Sequence, residues 1–481
     1  MCEQMILSLT FTFKSISDDI GRSVYIRRYW SVKVGQPIKG RMLGVDTLTL
    51  PFTKRTLANG LDVIVHEDHH VPIVAVNIWY HVGSKDEQPG RTGFAHLFEH
   101  LMFEGSEHHD AGFFAPLQQA GGVLNGSTSA DRTNYWEVVP TSAIDLALWM
   151  ESDRMGYLLP AVTPERFETQ RDVVLNERRQ NYENRPYGFA MMAMTAALFP
   201  EDHPYHWLTI GSADDIRAMR LEDVQAFFRT HYHPANASLT LAGDIETERA
   251  FDLADRYFGE LPPSLRPGPV HRTADLASEV RLVLEDRVEL PRLYMAWLSP
   301  AMFDDGDAEL DLLADLLANG KTSRLYRTLV YERRVALDVS AYQRSEELAG
   351  VFLVVATAAP GGSLTDMAAV IDSELQRLIE AGPSESEMER ARAQVEAHFM
   401  YRLQTVGGFG GKSDQLNAYN VLRGDPGFFP EDLSRYLEAT TAGVRDAASR
   451  VLGCDRRVIL SVVPRGQRAL ALAGSRPVSV S

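Results

Sequence analysis

The sequence predicts an α+β fold in which two homologous domains follow one another along the chain. Three observations carry this prediction. At 481 residues the chain is too long for one hydrophobic core. A proline-rich stretch, Pro262-Pro263-Ser264-Leu265-Arg266-Pro267-Gly268-Pro269, reads as a semi-rigid connection near its middle. On either side of that stretch, two strand-like segments run into an apolar helix that ends at a glycine, so the second half reads as a faded repeat of the first. The expected organisation is an N-terminal extension 1–47, a first domain 48–261, a linker 262–277, a second domain 278–466 and a C-terminal tail 467–481.

The first 45 residues are comparatively basic (Lys14, Arg22, Arg27, Arg28, Lys33, Lys39, Arg41) and lack the continuous apolar core of a secretory signal, so they read as an extension outside the fold. Leu61–His66 and Ile73–Tyr80 have strand composition, and the turn Ala58-Asn59-Gly60 precedes the first. A helix around His96 follows, stopping at Gly105. Gly121-Gly122 then opens the polar, alternating stretch Leu124–Ser129, which pairs with Thr133–Val139 as a hairpin whose first strand suits a sheet edge. A second helix has Thr163 as N-cap and Pro164 at its first position, and is expected to reach about Tyr182 before Pro186. Beyond the linker, Val280–Leu284 and Leu293–Leu298 are strands and Leu310–Asn319 a helix ending at Gly320.

The His96 helix carries the chemistry. At 3.6 residues per turn His96, Glu99, His100 and Phe103 share a face, while Leu97, Phe98, Leu101 and Met102 fill the rest. Three ionisable groups on an otherwise apolar helix need partners, because burying each alone costs a few kcal/mol, roughly. Two His at i and i+4 can reach one Zn²⁺ at about 2.0–2.1 Å, leaving the Glu at i+3 beside an open position. A pair of satisfied core histidines is the plainer alternative. On the second helix Phe167, Gln170, Val174 and Glu177 form one stripe, so Glu177 points with two apolar residues. Its partner is either a metal held by His96 and His100 or one of Arg171, Arg178 and Arg179. Setting Gly320 against Gly105 places Asp311, Ala314 and Asp315 at the positions of His96, Glu99 and His100, with the apolar frame Leu312, Leu313, Leu316 and Leu317 kept. Duplication with one active site is the expectation.

Composition narrows the function classes. With 48 Lys+Arg against 65 Asp+Glu the net charge is −17, which argues against nucleic acid as a partner. The acidity serves solubility or draws in cationic peptides. Only Cys2 and Cys454 are present, far apart, so neither a disulfide framework nor a cysteine zinc site is available. A reducing, cytoplasmic setting suits such a chain, and no run of about 18 apolar residues spans a membrane.

The helix His96-x-x-Glu99-His100, the Glu177 that follows after 76 intervening residues inside Val173-Val174-Leu175-Asn176-Glu177-Arg178-Arg179-Gln180, and the degenerate second half together resemble the inverzincin peptidases. These include pitrilysin, insulin-degrading enzyme and the mitochondrial processing peptidases. The resemblance, over about residues 48–466, implies a clamshell of α+β domains, each an antiparallel sheet with helices. It implies His96, His100 and Glu177 as ligands of one Zn²⁺ and Glu99 as the general base. It also implies that an extended peptide pairs with the edge Leu124–Ser129, giving Asn125, Gly126 and Ser127 as substrate-binding residues, with the small Gly126 allowing close approach. The loop Gly407-Gly408-Phe409-Gly410-Gly411 is either a flexible substrate entrance or a plain helix connection. Two departures stand out. Where many relatives have a second glutamate, this chain has Gln170, whose amide is expected over Glu177, supporting it from behind. Where self-sufficient members have a substrate-gripping Arg and Tyr in the second domain, it has Val330 and Leu337. The expected protein is therefore a zinc metallo-endopeptidase, the catalytic subunit of a heterodimer with a related chain that lacks the motif and supplies the Arg and Tyr. The rival is a non-catalytic assembly subunit.

Overall fold

A computed structural model describes residues 48–453 and 455–480; the N-terminal extension, Cys2, Cys454 and Ser481 lie outside the described residues. Each half is built on a six-stranded sheet. The first comprises β1 (Thr53–Thr56), β2 (Asp62–Glu67), β3 (Ile73–Tyr80), β4 (Val123–Thr128), β5 (Thr133–Pro140) and β6 (Ala237–Gly243) in the spatial order β1-β2-β6-β3-β5-β4. The second comprises β7 (Val280–Asp286), β8 (Arg292–Ser299), β9 (Ala336–Arg344), β10 (Gly350–Ala358), β11 (Val458–Pro464) and β12 (Arg476–Pro477) in the order β12-β7-β11-β8-β10-β9. Five of the six strands in each correspond one to one, which bears out two homologous α+β domains.

The sheets are mixed rather than purely antiparallel. In each half the last long strand returns through a helical crossover and inserts between two strands that run in opposite directions, so it must be parallel to one of them. Thus β6 is parallel to β2 and antiparallel to β3, and β11 is parallel to β7 and antiparallel to β8. Residues 467–480 do not form a free tail. Arg476–Pro477 pairs with Leu282 and Val283 of β7, and Val478 N–H donates to the Val283 carbonyl at 3.0 Å.

The helices used below are α1 (Phe94–Leu101), α2 (Pro164–Arg178), α3 (Ala190–Leu198), α4 (Asp307–Ala318), α5 (Glu385–Arg402) and α6 (Lys412–Arg423). All described residues belong to one compact unit, and the halves are locked by an exchange of helices. From the first half, α3 places Met194 and Leu198 among Leu282, Tyr294 and Leu460 of the second sheet. From the second half, α6 lies on the first sheet, where the buried Asn417 donates to the Asn77 carbonyl at 2.8 Å and accepts from Ser238 and Thr240 at 2.7 and 2.8 Å. The glycine-rich loop between α5 and α6 packs rather than hangs free: a Cβ on Gly407 would lie 2.5 Å from Val138 and 2.7 Å from Ala75. Among the described residues no helix is long and apolar enough to cross a membrane.

Candidate metal centre

The centre is built by two packed helices, α1 and α2. Leu97, Phe98 and Leu101 of α1 are fully buried in the first core, a contribution of about 1.5–3 kcal/mol each. Gly93 begins α1 with φ +97°, a conformation that disfavours any side chain. The Glu87 carboxylate caps the helix, accepting from Gly93 N–H and Ala95 N–H at 2.9 Å each. Thr163 caps α2 through its hydroxyl, with Pro164 next, as its sequence predicts. After Arg178 the helix widens into a π turn, Arg179–Glu183, instead of running regularly to Tyr182.

Phe167, Gln170 and Val174 form the buried stripe of α2, and Glu177 continues it toward α1. Glu177 Oε2 lies 3.6 Å from His96 Nε2 and 3.3 Å from His100 Nε2. Two ligands bound tetrahedrally at about 2.0–2.1 Å are about 3.3–3.4 Å apart, so both contacts of Glu177 match the spacing of zinc ligands, and the three donor atoms all lie within 4.8 Å of one another. The arginines that compete for Glu177 on sequence grounds are engaged elsewhere: Arg171 with Glu168, Arg178 with Glu183, Arg179 with Asn176. Asn181 joins the two histidines at Glu177, donating at 3.2 Å.

Electrostatics favour the ligand forms. Burial, together with the charge of neighbouring His100, holds His96 below the usual imidazole range, which keeps it neutral with a lone pair to give. A hydrogen bond from His100, and the charge that His96 carries when it is protonated, hold Glu177 below the usual carboxylate range despite partial burial, so Glu177 is the ionised member of the group. Side-chain exposures of 12% for His96, 23% for His100 and 36% for Glu177 leave the centre open on one side. Among the described residues one other group, Glu67, His69 and Glu246, brings ligand atoms together, but all three are exposed and His69 is held by Asp244 at 2.8 Å.

The other sequence-predicted residues fall less simply. Gln170 donates its amide to Glu104 Oε1 at 2.8 Å and does not bond Glu177, so its expected support of Glu177 needs correction: the side chain of a residue two turns earlier leans toward the neighbouring helix end. β4 is at the sheet edge as expected. Ser129 N–H bonds the Arg132 carbonyl, so by antiparallel alternation Leu124, Gly126 and Thr128 point their main-chain groups outward. Gly126 N–H is covered by Asn125 Oδ1 at 2.8 Å. A Cβ on Gly126 would meet Tyr135 at 2.9 Å and Phe103 at 3.0 Å, so packing beneath the strand already requires the glycine. Ser127 donates to Asn134 at 2.7 Å and accepts from Arg132, which also bonds the Ser127 carbonyl at 2.9 Å. Sequence reasoning missed Glu87 and Arg132. An acidic residue shortly before a glycine-started helix is the available signal for Glu87, whereas nothing local marks Arg132.

A family model described as Insulinase (Peptidase family M16) matches residues 62–203, and one described as Peptidase M16 inactive domain matches residues 218–395. The chain belongs to the pitrilysin-like M16 peptidase family. His96, His100 and Glu177 fall in the first match and α4 in the second, while β6, which belongs to the first sheet, falls within the second match. Among relatives, this M16 chain is 29% identical over 377 residues to the zinc protease PqqE of Helicobacter pylori, covering 77% of this chain and 84% of that one. It is 30% identical over 298 residues to an uncharacterized zinc protease of Mycobacterium tuberculosis, covering 60% of this chain and 67% of that one. Its fold is similar to the crystal structure of a protease from Helicobacter pylori, with a TM-score of 0.80 and 26% identity over 87% of this chain and all of that one.

Proposed function

We propose that this chain is a zinc-dependent metallo-endopeptidase that cleaves peptides or unfolded protein segments. The observation that carries the reading is the convergence of His96, His100 and Glu177, with Glu99 on the same face of α1. Those three residues would hold one zinc ion, which when bound polarises the scissile carbonyl and acidifies the attacking water. Glu99 takes the proton from that water and delivers it to the departing amine. The substrate backbone pairs with the outward groups of β4, displacing Asn125 from Gly126 N–H, while Arg132 and Asn134 hold Ser127 and so keep the edge straight. Glu99→Gln keeps the shape and removes the base: zinc content should be unchanged while peptide cleavage falls at least about 10²-fold. A Glu99→Gln chain that cleaves as well as the parent would refute the assignment.

The heterodimer belongs to the same proposal. Val330 packs against the second core and Leu337, at the start of β9, is exposed; neither can donate to a substrate carbonyl. A related chain that lacks the His-x-x-Glu-His motif and brings an Arg and a Tyr would complete the site. The same absence favours a second reading, a non-catalytic assembly subunit. Zinc-loaded chain that stays inactive with every copurifying relative would establish that second reading. A cytoplasmic setting is likewise proposed, from the sparse cysteines.

A further inference from the structure

The second half repeats the architecture of the metal centre with other residues in it. Aligning the apolar frames of α1 and α4 places Asp311 and Asp315 at the positions of His96 and His100. Aligning the caps Thr163 of α2 and Ser384 of α5 places His398 at the position of Glu177. These three residues line a cavity of about 500 Å³ between α4, α5 and the edge strand β9. Their donor atoms do not converge as those of the first half do, since among the described residues only the two groups given above bring three such atoms within 4.8 Å. The space is therefore too wide for one metal ion to bridge.

What the cavity offers is a set of acceptors that the donors in its wall leave unfilled. Tyr436 donates to Asp311 Oδ2 at 2.8 Å and Asn319 to Asp315 Oδ1 at 3.0 Å, which leaves the second oxygen of each carboxylate unpartnered among the described residues. The Gln343 amide nitrogen is fixed on Asp307 at 2.6 Å and Ser345 at 2.9 Å, and its buried Oε1 has no partner among the described residues. Three unfilled acceptors beside the rings of Tyr342 and Tyr436 are complementary to a flat or compact organic cation rich in N–H groups. Arg402 also lines the wall, but its Nε donates to His398 Nε2 at 3.2 Å and its guanidinium lies over Phe399, 5.4 Å from the ring centre, so it does not fill the acceptors.

We propose that this cavity binds an organic cation, a guanidinium or primary ammonium, between Asp311, Asp315 and Gln343. Burial and the neighbouring Asp307 push the Asp311 carboxyl up to about 7 against the opposing effect of Tyr436 and Arg435, so a cation bound beside it would draw off its proton. The site is separate from the metal centre and stands whether or not the first half cleaves peptides.

The probe is agmatine, titrated calorimetrically into the zinc-loaded full-length chain. Saturable binding of one agmatine per chain is expected, weakened at least about tenfold by Asp315→Asn. Asp315→Lys, which places an ammonium of its own in the cavity, should abolish it, while Glu177→Gln should leave it unchanged. Zinc content and melting temperature of the Asp315 variants verify that they fold. Competition by a peptide carrying one arginine, lost on changing that arginine to alanine, identifies a side chain as the natural occupant; binding of agmatine without such competition identifies a free cation. Absence of saturable binding, binding that Asp315→Asn leaves intact, or binding that Glu177→Gln removes would overturn the proposal.

Discussion

A carboxylate 3.3 Å from one imidazole nitrogen and 3.6 Å from another can be neutralised by protonating a ring or by sharing a cation. Burial works against the first course at His96, so Glu177 and the two histidines are better satisfied by a metal. His96→Ala and His100→Ala should each lose bound zinc, measured by metal analysis of the purified chain. Glu177→Gln, which weakens a ligand but keeps its shape, should lower zinc affinity by about 10-fold or more. That His96 and His100 share a helix face, and that Glu177 continues an apolar stripe, was legible in the sequence because each is read within its own helix from a period of 3.6. That they meet was implied by the family resemblance, since helix periodicity alone left an arginine open as the partner of Glu177. The roles of Gln170 and Gly126 were not legible, because a side chain's partner on another element has no signature in spacing: Gln170 turns to Glu104, and Gly126 is small because Tyr135 and Phe103 press on it.

At the scale of elements, the metal centre depends on how α1 and α2 begin. Gly93→Ala forces a Cβ into a backbone with φ +97°, and Thr163→Ala removes the hydroxyl that caps α2. Each should cost about 1 kcal/mol or more in a denaturation experiment. The start of α5 reports on acid stability. Arg324, which bonds Glu387 at 2.7 Å through two nitrogens, and the capping contacts of Ser384 hold the Glu387 carboxyl down to about 2. A depressed carboxyl stabilises the folded chain above its unfolded value near 4.5 and loses that contribution as pH falls toward 2. Allowing for solvent screening, about 1–2 kcal/mol is at stake, and Glu387→Gln should flatten stability against pH between about 4.5 and 2. Local elements such as the β4–β5 hairpin and the capped helices were readable from turn and cap residues. The insertion of β6 and β11, the exchange of α3 and α6, and the pairing of Arg476–Pro477 with β7 were not, because they join residues far apart in sequence through packing alone.

For the whole molecule, one half carries the candidate metal ligands and the other the same frame with different side chains. The exchange of helices makes the halves a single support, so changes at the α6 interface should act on both. Asn417→Leu would remove the acceptor of the Ser238 and Thr240 hydroxyls and the donor to the Asn77 carbonyl and should destabilise the chain by about 2–4 kcal/mol, visible as a lower melting temperature of one cooperative transition. The missing Arg and Tyr predict that zinc-loaded chain purified alone turns over peptide slowly and that a copurified relative accelerates it; full turnover by the chain alone would exclude the heterodimer. The most direct test of the account is zinc content and peptide cleavage measured side by side on the parent chain, Glu99→Gln and Glu177→Gln, each with its partner present. The account predicts one zinc and cleavage in the parent, one zinc without cleavage in Glu99→Gln, and depleted zinc in Glu177→Gln. Full zinc in Glu177→Gln, or undiminished cleavage in Glu99→Gln, would contradict it.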